Sequence, residues 1–172
     1  KQAYETIEVY RKYVPGMEQC YMVSTPNVIG TRESRRIHGL YTLTKDDVME
    51  QRTFEDSIGY GSFFIDIHNT KGPGMDQREW RPPSGFRYQI PYRIIVPKEL
   101  DNLLVAGRCA SATHEALGSL RVMPQCGVMG QAAGVAAVQS LHAGCAPRAV
   151  PLPPLQQELR RQGAIVCEED IA

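Results

Sequence analysis

The sequence predicts an α/β fold, passing to α+β if its own strands pair antiparallel, and three observations carry that prediction. Segments with apolar residues at helical spacing, punctuated by Pro and Gly, alternate with short runs of strand composition. One run, Leu103–Ala106, is wholly apolar and ends at Gly107, as expected of a strand buried on both faces. The 172 residues, 42% of them hydrophobic, suffice for one domain with a sizeable core.

The elements follow in order. Residues 1–14 place Tyr4, Ile7, Tyr10 and Val14 three and four apart, a packing helix stopped by Pro15-Gly16. From Gln19 to Ile37, short extended runs are broken by Pro26 and Gly30. Thr44 and Asp47 make an N-cap pair for a helix over 45–56, with Val48, Met49 and Phe54 on its apolar side. Ser62–His68 has strand composition. The 17 residues from Asn69 to Gly85 hold three Gly and three Pro and predict a long functional loop. Arg87–Ile90 and Tyr92–Val96 predict extended segments around Pro91. A helix over Pro124–His142 has Pro in its first turn and Gly144 beyond its end. Within it Gly127, Gly130 and Gly134 each cost about 1 kcal/mol against Ala, which implies close approach to the backbone. A last helix, Leu155–Gln162, ends at Gly163.

Charge and composition narrow the function classes. Nineteen Lys and Arg balance 19 Asp and Glu, so the basic footprint of a nucleic-acid binder is missing, and a small ligand or a protein is the expected partner. Five cysteines without a CxxC spacing predict reduced thiols and a cytoplasmic protein. The opening KQAYETIEVYRKYVPG has no initiator Met and no signal-peptide core, and the expectation is a chain that starts within a longer protein. Val122–Leu141 contains Gln125, Gln131 and Gln139, whose amides would need partners in lipid, so a buried helix is expected there and no membrane span.

The chemistry concentrates around the Pro124 helix. From Ala116 to Gln157 there is no Asp or Glu across 42 residues. A helix start without acids of its own, preceded by Gly118, Ser119 and Arg121, is suited to receive an anion or a polarised oxygen. The plain reading is a core helix capped by water or Ser119.

Within Asp101–Ala137, the run DNLLVAGRCASATHEALGSLRVMPQCGVMGQAAGVAA resembles the carboxy-terminal FAD-binding segment of FAD-dependent oxidoreductases of the glutathione-reductase superfamily, in the group related to fumarate reductase flavoproteins. Upstream, TRESRRIHGLYTLTKDDV (Thr31–Val48), FEDSI (Phe54–Ile58), FIDIHN (Phe64–Asn69) and YQIPYR (Tyr88–Arg93) resemble the same family. The resemblance covers roughly residues 28–142. It implies a Rossmann-like FAD domain with Leu103–Ala106 in its parallel sheet, and the cofactor FAD. Residues 1–100 would then be part of the substrate domain, 101–145 the carboxy-terminal segment of the FAD domain, and 146–172 a linker and helix.

The resemblance also implies site residues. Ala106, Gly107 and Arg108 would meet the ribityl and pyrophosphate portion, although many relatives carry an acid where Arg108 stands. A loop of Gly118, Ser119, Leu120, Arg121 and Val122 would pass along the isoalloxazine ring. Met123 and Pro124 would begin a helix aimed at the flavin pyrimidine, where reduced flavin holds negative charge. The GxGxxG unit that binds the ADP half occurs nowhere in these residues. The chain would therefore bind FAD weakly by itself, with a missing amino-terminal half as its partner. A homo-oligomer would cover apolar surface otherwise left open.

Candidate catalytic residues are His68, His114 and Arg121: either imidazole would take a hydroxyl proton as hydride leaves, and Arg121 would hold a carboxylate or the flavin. Arg32, Arg35 and Arg36 around Glu33 read as a solvated face or as cofactor contacts. Asp66-x-His68 finds no third ligand at metal spacing, so no metal is expected. Serine beside His114 without a GxSxG elbow does not make a hydrolase. Cys109 and Cys126 read as small buried thiols. The function expected is hydride removal from an organic substrate by an FAD enzyme; the alternative is a non-catalytic interaction or assembly domain retaining a flavoprotein-like core.

Overall fold

A computed structural model describes residues 1–28, 30–69 and 80–171. The chain divides into two compact units, Lys1–Thr31 and Arg32–Ala172. The first is built on helix α1 (Gln2–Tyr13), with Glu5 in its first turn and Arg11 and Lys12 in its last, each matched to the helix dipole. Arg11 Nε donates to Cys20 O at 2.8 Å and ties the following strap back onto the helix. The helix forms as its periodicity predicts, but none of its residues is buried, so its tyrosines do not pack into a core.

The second unit holds helices α2 (Lys45–Met49), α3 (His114–Leu120), α4 (Met123–Ala143) and α5 (Leu152–Arg161) around a two-stranded sheet. Strands β1 (Ser57–Gly61) and β2 (Tyr88–Pro91) pair antiparallel, with an irregularity between Ser57 and Gly59. A mixed helical fold with a small sheet agrees with the α/β or α+β expectation at that level. The core gathers Leu43, Ile58, Ile65, Tyr88, Ile90, Ile94, Leu117, Leu120, Met129 and Leu155, all at most 1% exposed. Helix α4 lies against β1 so closely that a side chain at Gly59 would meet Val128 Cγ1 at 2.6 Å.

Several boundaries differ from the sequence reading, each for a local reason. Strand β1 lies one segment earlier than Ser62–His68, because the two glycines of SIGYG hide its strand composition. The predicted strand is none of the named strands, with a single bridge at His68: Ile65 and Ile67 are buried, whereas Asp66 is half-buried and His68 exposed. Helix α2 keeps its Thr44–Asp47 capping box but stops at Met49, where Gln51 turns left-handed with φ 54°. Tyr92–Ile94 is a 3₁₀ turn where an extended segment is predicted. Leu103–Ala106 is no strand among the described residues: Val105 N donates to Ile95 O at 2.9 Å, and Leu103 is 42% exposed. Helix α4 starts and stops where Pro124 and Gly144 require, the glycine at φ 61°. A side chain at Gly127, Gly130 or Gly134 would meet nothing within 4 Å among the described residues, so the expected close approach is not seen there. Helix α5 starts at Leu152, three residues early, because prolines fit a first turn whose N–H groups are unpaired anyway. Cys109 is exposed, against the expectation of a buried thiol. Most of the predicted loop from Asn69 lies outside the described residues, in 70–79.

Two sets of backbone hydrogen bonds position the site. Leu43 N donates to Ser111 O at 3.0 Å and Thr113 N to Leu43 O at 2.8 Å, a parallel bridge that delivers the chain to α3. Ile37 N donates to Cys109 O at 2.9 Å and holds the segment from Arg32 beside the same strap.

Candidate functional site

Helix α3 is where the sequence reading placed a loop. Thr113 caps it by accepting from Ala116 N at 3.3 Å, and Glu115 complements the positive end of its dipole. Gly118, Ser119 and Leu120 are buried residues of this helix. A side chain at Gly118 would meet Ile67 Cγ1 at 2.9 Å, so the glycine lets α3 touch the 65–67 segment. The Ser119 hydroxyl donates to Phe63 O at 2.5 Å and lies 2.8 Å from the Tyr88 hydroxyl, whose pKa burial drives far above its ordinary value. These three side-chain positions are thus engaged within the unit.

Arg121 ends α3 and precedes α4. Its side chain is 10% exposed; Nη2 donates to Asp66 O at 2.6 Å and Nη1 to Glu33 Oε2 at 3.4 Å. Its Nε is buried without a partner among the described residues. His114, the first residue of α3, sets Nδ1 at 2.8 and 2.9 Å from the two Glu33 oxygens. Arg36 Nη1 donates to Glu33 Oε1 at 2.7 Å, so one carboxylate gathers three cationic or ionisable side chains. Beside it, Asp66 accepts from Arg32 Nη2 at 2.6 Å and lies 3.9 Å from His68 Nε2. The fold therefore brings His68, His114 and Arg121 to one patch, through Glu33 and Asp66.

The predicted cofactor residues fall into two sets. Ala106 and Arg108 are exposed around a tight turn at Gly107, φ 84°, where an added side chain would meet, among the described residues, only Cys126 Sγ, at 3.9 Å. That turn adjoins the first turns of α4, and the Cys126 thiol bonds Arg121 O at 3.4 Å. Burial pushes the Cys126 thiol up, against the lowering effect of Arg108. Val122 caps α4 without a side-chain bond, Met123 is 88% exposed and Pro124 is exposed. Gln125 is buried there, its Oε1 unpartnered among the described residues. The rim of Ala106, Gly107, Arg108, Val122, Met123 and Pro124 is open, whereas Gly118, Ser119 and Leu120 are closed in the core, with Arg121 between them.

Glu33 is the site residue that sequence reasoning passed over. Its signal was weak: one acid among Arg32, Arg35 and Arg36, without periodicity to set its face. Asp66 was considered only as a metal ligand, and among the described residues no three metal-binding side chains come together. No helix among the described residues is long and apolar enough to cross a membrane. A family model described as FAD dependent oxidoreductase matches residues 1–159. No curated protein and no solved structure matches the chain.

Proposed function

The chain belongs to the FAD-dependent oxidoreductase family, whose cofactor is FAD, and from that premise we propose that it supplies the isoalloxazine side of a flavin site that removes hydride from an organic small molecule. The proposal places it in the glutathione-reductase superfamily, in the group related to fumarate reductase flavoproteins. Residues 1–100 then serve a substrate domain, 101–145 the FAD domain, and 146–172 a linker and helix. An amino-terminal half would hold the ADP portion, and the compartment is the cytoplasm.

The observation that carries this reading is Arg121. A guanidinium nine-tenths buried, anchored on Glu33 and Asp66, keeps one unpartnered nitrogen immediately before a helix start without a side-chain cap. Buried polar groups without partners are rare and mark places where something else completes the bonding. The open Gly107 turn and the acid-free start of α4 fit a dinucleotide carrying negative charge.

When bound, FAD accepts the electron pair and hydrogen that leave the substrate carbon as its C–H bond breaks. The chain's residues do the rest. The first turn of α4 would stabilise negative charge on the bound flavin. Arg121 would hold an anionic group of the substrate or a flavin oxygen. His114 or His68 accepts the hydroxyl proton as the O–H bond breaks and a carbonyl forms.

Full-length protein reconstituted with FAD and mixed anaerobically with alcohols, sugars or acids should bleach with one of these classes. Arg121→Ala should slow bleaching about 100-fold, the scale for losing one preorganised charge stabiliser, and change FAD affinity much less. Unaltered bleaching would remove Arg121 from the reaction.

A further inference from the structure

The two candidate histidines are held differently, and the difference assigns their roles. A carboxylate only accepts hydrogen bonds, so His114 Nδ1, at 2.8 and 2.9 Å from both Glu33 oxygens, must carry a proton. Whatever the charge of the ring, the nitrogen left to gain or lose a proton is Nε2. Glu33 is itself fixed: Arg36 donates to one oxygen at 2.7 Å, Arg121 approaches the other at 3.4 Å, and the carboxylate side chain is 17% exposed. Among the described residues His68 has no such hold. Its Nε2 stands 3.9 Å from Asp66 Oδ1, beyond hydrogen-bond reach, and the ring is 69% exposed. Asp66 gives its other oxygen to Arg32 at 2.6 Å.

We propose that Glu33 is a positioning residue that fixes His114 with Nε2 as the proton acceptor and ties it to Arg121, leaving His68 outside the proton transfer. The assignment rests on the oxidoreductase reading for its catalytic meaning. In the step, the lone pair on Nε2 forms an N–H bond as the substrate O–H bond breaks, and the C–H hydrogen leaves with its electron pair to FAD. The imidazolium so formed keeps its Nδ1–H bond to Glu33, a carboxylate it shares with Arg36 and Arg121.

Nitrogen-15 NMR of protein labelled in its four histidines reads the tautomers directly, with His114 assigned by His114→Gln. In its neutral form His114 should be protonated at Nδ1, whereas His68 should show the Nε2-protonated form that free imidazole side chains favour in water. Glu33→Ala should return His114 to that ordinary form. A wild-type His114 protonated at Nε2 would overturn the proposal without any variant, as would a tautomer unchanged by Glu33→Ala. In full-length protein loaded with FAD, Glu33→Gln should slow flavin reduction at least tenfold; an unchanged rate also overturns it. The tautomer is measured without flavin, so absence of bleaching with every substrate class would count against the oxidoreductase reading alone.

Discussion

Asp56 and Glu33 both hold arginines, yet they do so in opposite ways. Asp56 is 4% exposed and accepts from Arg93 three times, at 3.0 Å from N, 2.9 Å from Nε and 3.1 Å from Nη2. The guanidinium lies over the Tyr41 ring, half in solvent. Here the acid is the more buried partner and its bonding is complete. Around Glu33 the most buried partner is the base, Arg121, whose Nε is left over. Closed pairs of the first kind join elements; an open cluster of the second kind leaves bonding capacity for a ligand.

The strongest test of that contrast is Asp56→Ala, which removes three bonds to a charged group and leaves Arg93 N–H unpaired. It should cost about 2–4 kcal/mol in denaturant unfolding, since Arg93 can still turn to water. A loss below about 1 kcal/mol would mean that the pair is not the structural tie its geometry suggests.

Asp47 gives the next effect, one read through pH. Burial would raise its carboxyl, but the backbone N–H of Thr44 together with Arg52, Tyr41 and the Thr44 hydroxyl outweigh it and hold the carboxyl below its ordinary 3.8. A pKa lower in the folded state stabilises the fold above the unfolded value. That stability should be full above about pH 5 and lost as pH falls through the folded pKa. Asp47→Asn should cost about 1–2 kcal/mol at neutral pH and flatten acid unfolding in this window. An unchanged acid profile would assign the slope to other carboxylates.

Helix α4 carries the same contrast on its two faces. Met129, Ala132, Ala136 and Ser140 are buried, whereas a side chain at Gly127, Gly130 or Gly134 would meet nothing within 4 Å among the described residues. Gly134→Ala should therefore stabilise the chain by about 0.5–1 kcal/mol, the gain in helix propensity. A loss instead would reveal that this face is covered in solution, as the glycine spacing first suggested.

How far the sequence reveals each part depends on how local its cause is. The bounds of α4 were readable because Pro124 and Gly144 act on their own backbone. Helix α3 was hidden because Gly118 and Ser119 signal a turn locally, while burial against Ile67 and Tyr88 keeps them helical. His68 and His114 stand out in the sequence by the family-like motifs around them, and Arg121 by its place just before the acid-free helix start. Glu33 does not stand out, because its bonds to His114 and Arg121 span 81 and 88 residues and depend on tertiary pairing such as that of Ile37 N with Cys109 O.

The smallest expected effect is the most discriminating one. Arg32 donates to Asp66 at 2.6 Å, but its side chain is 51% exposed, so water and salt compete for the same charges. Arg32→Ala should shift stability by at most about 1 kcal/mol, and the difference should vanish near 1 M salt. If the open cluster is built for a ligand, this variant should instead alter the salt dependence of FAD or substrate binding, because it removes one positive charge from the patch holding Arg121. A loss above about 2 kcal/mol, insensitive to salt, would place Arg32 with the closed pairs such as Asp56–Arg93. The distinction between structural and ligand-facing charge would then fail at the residue where solvent exposure most clearly predicts it.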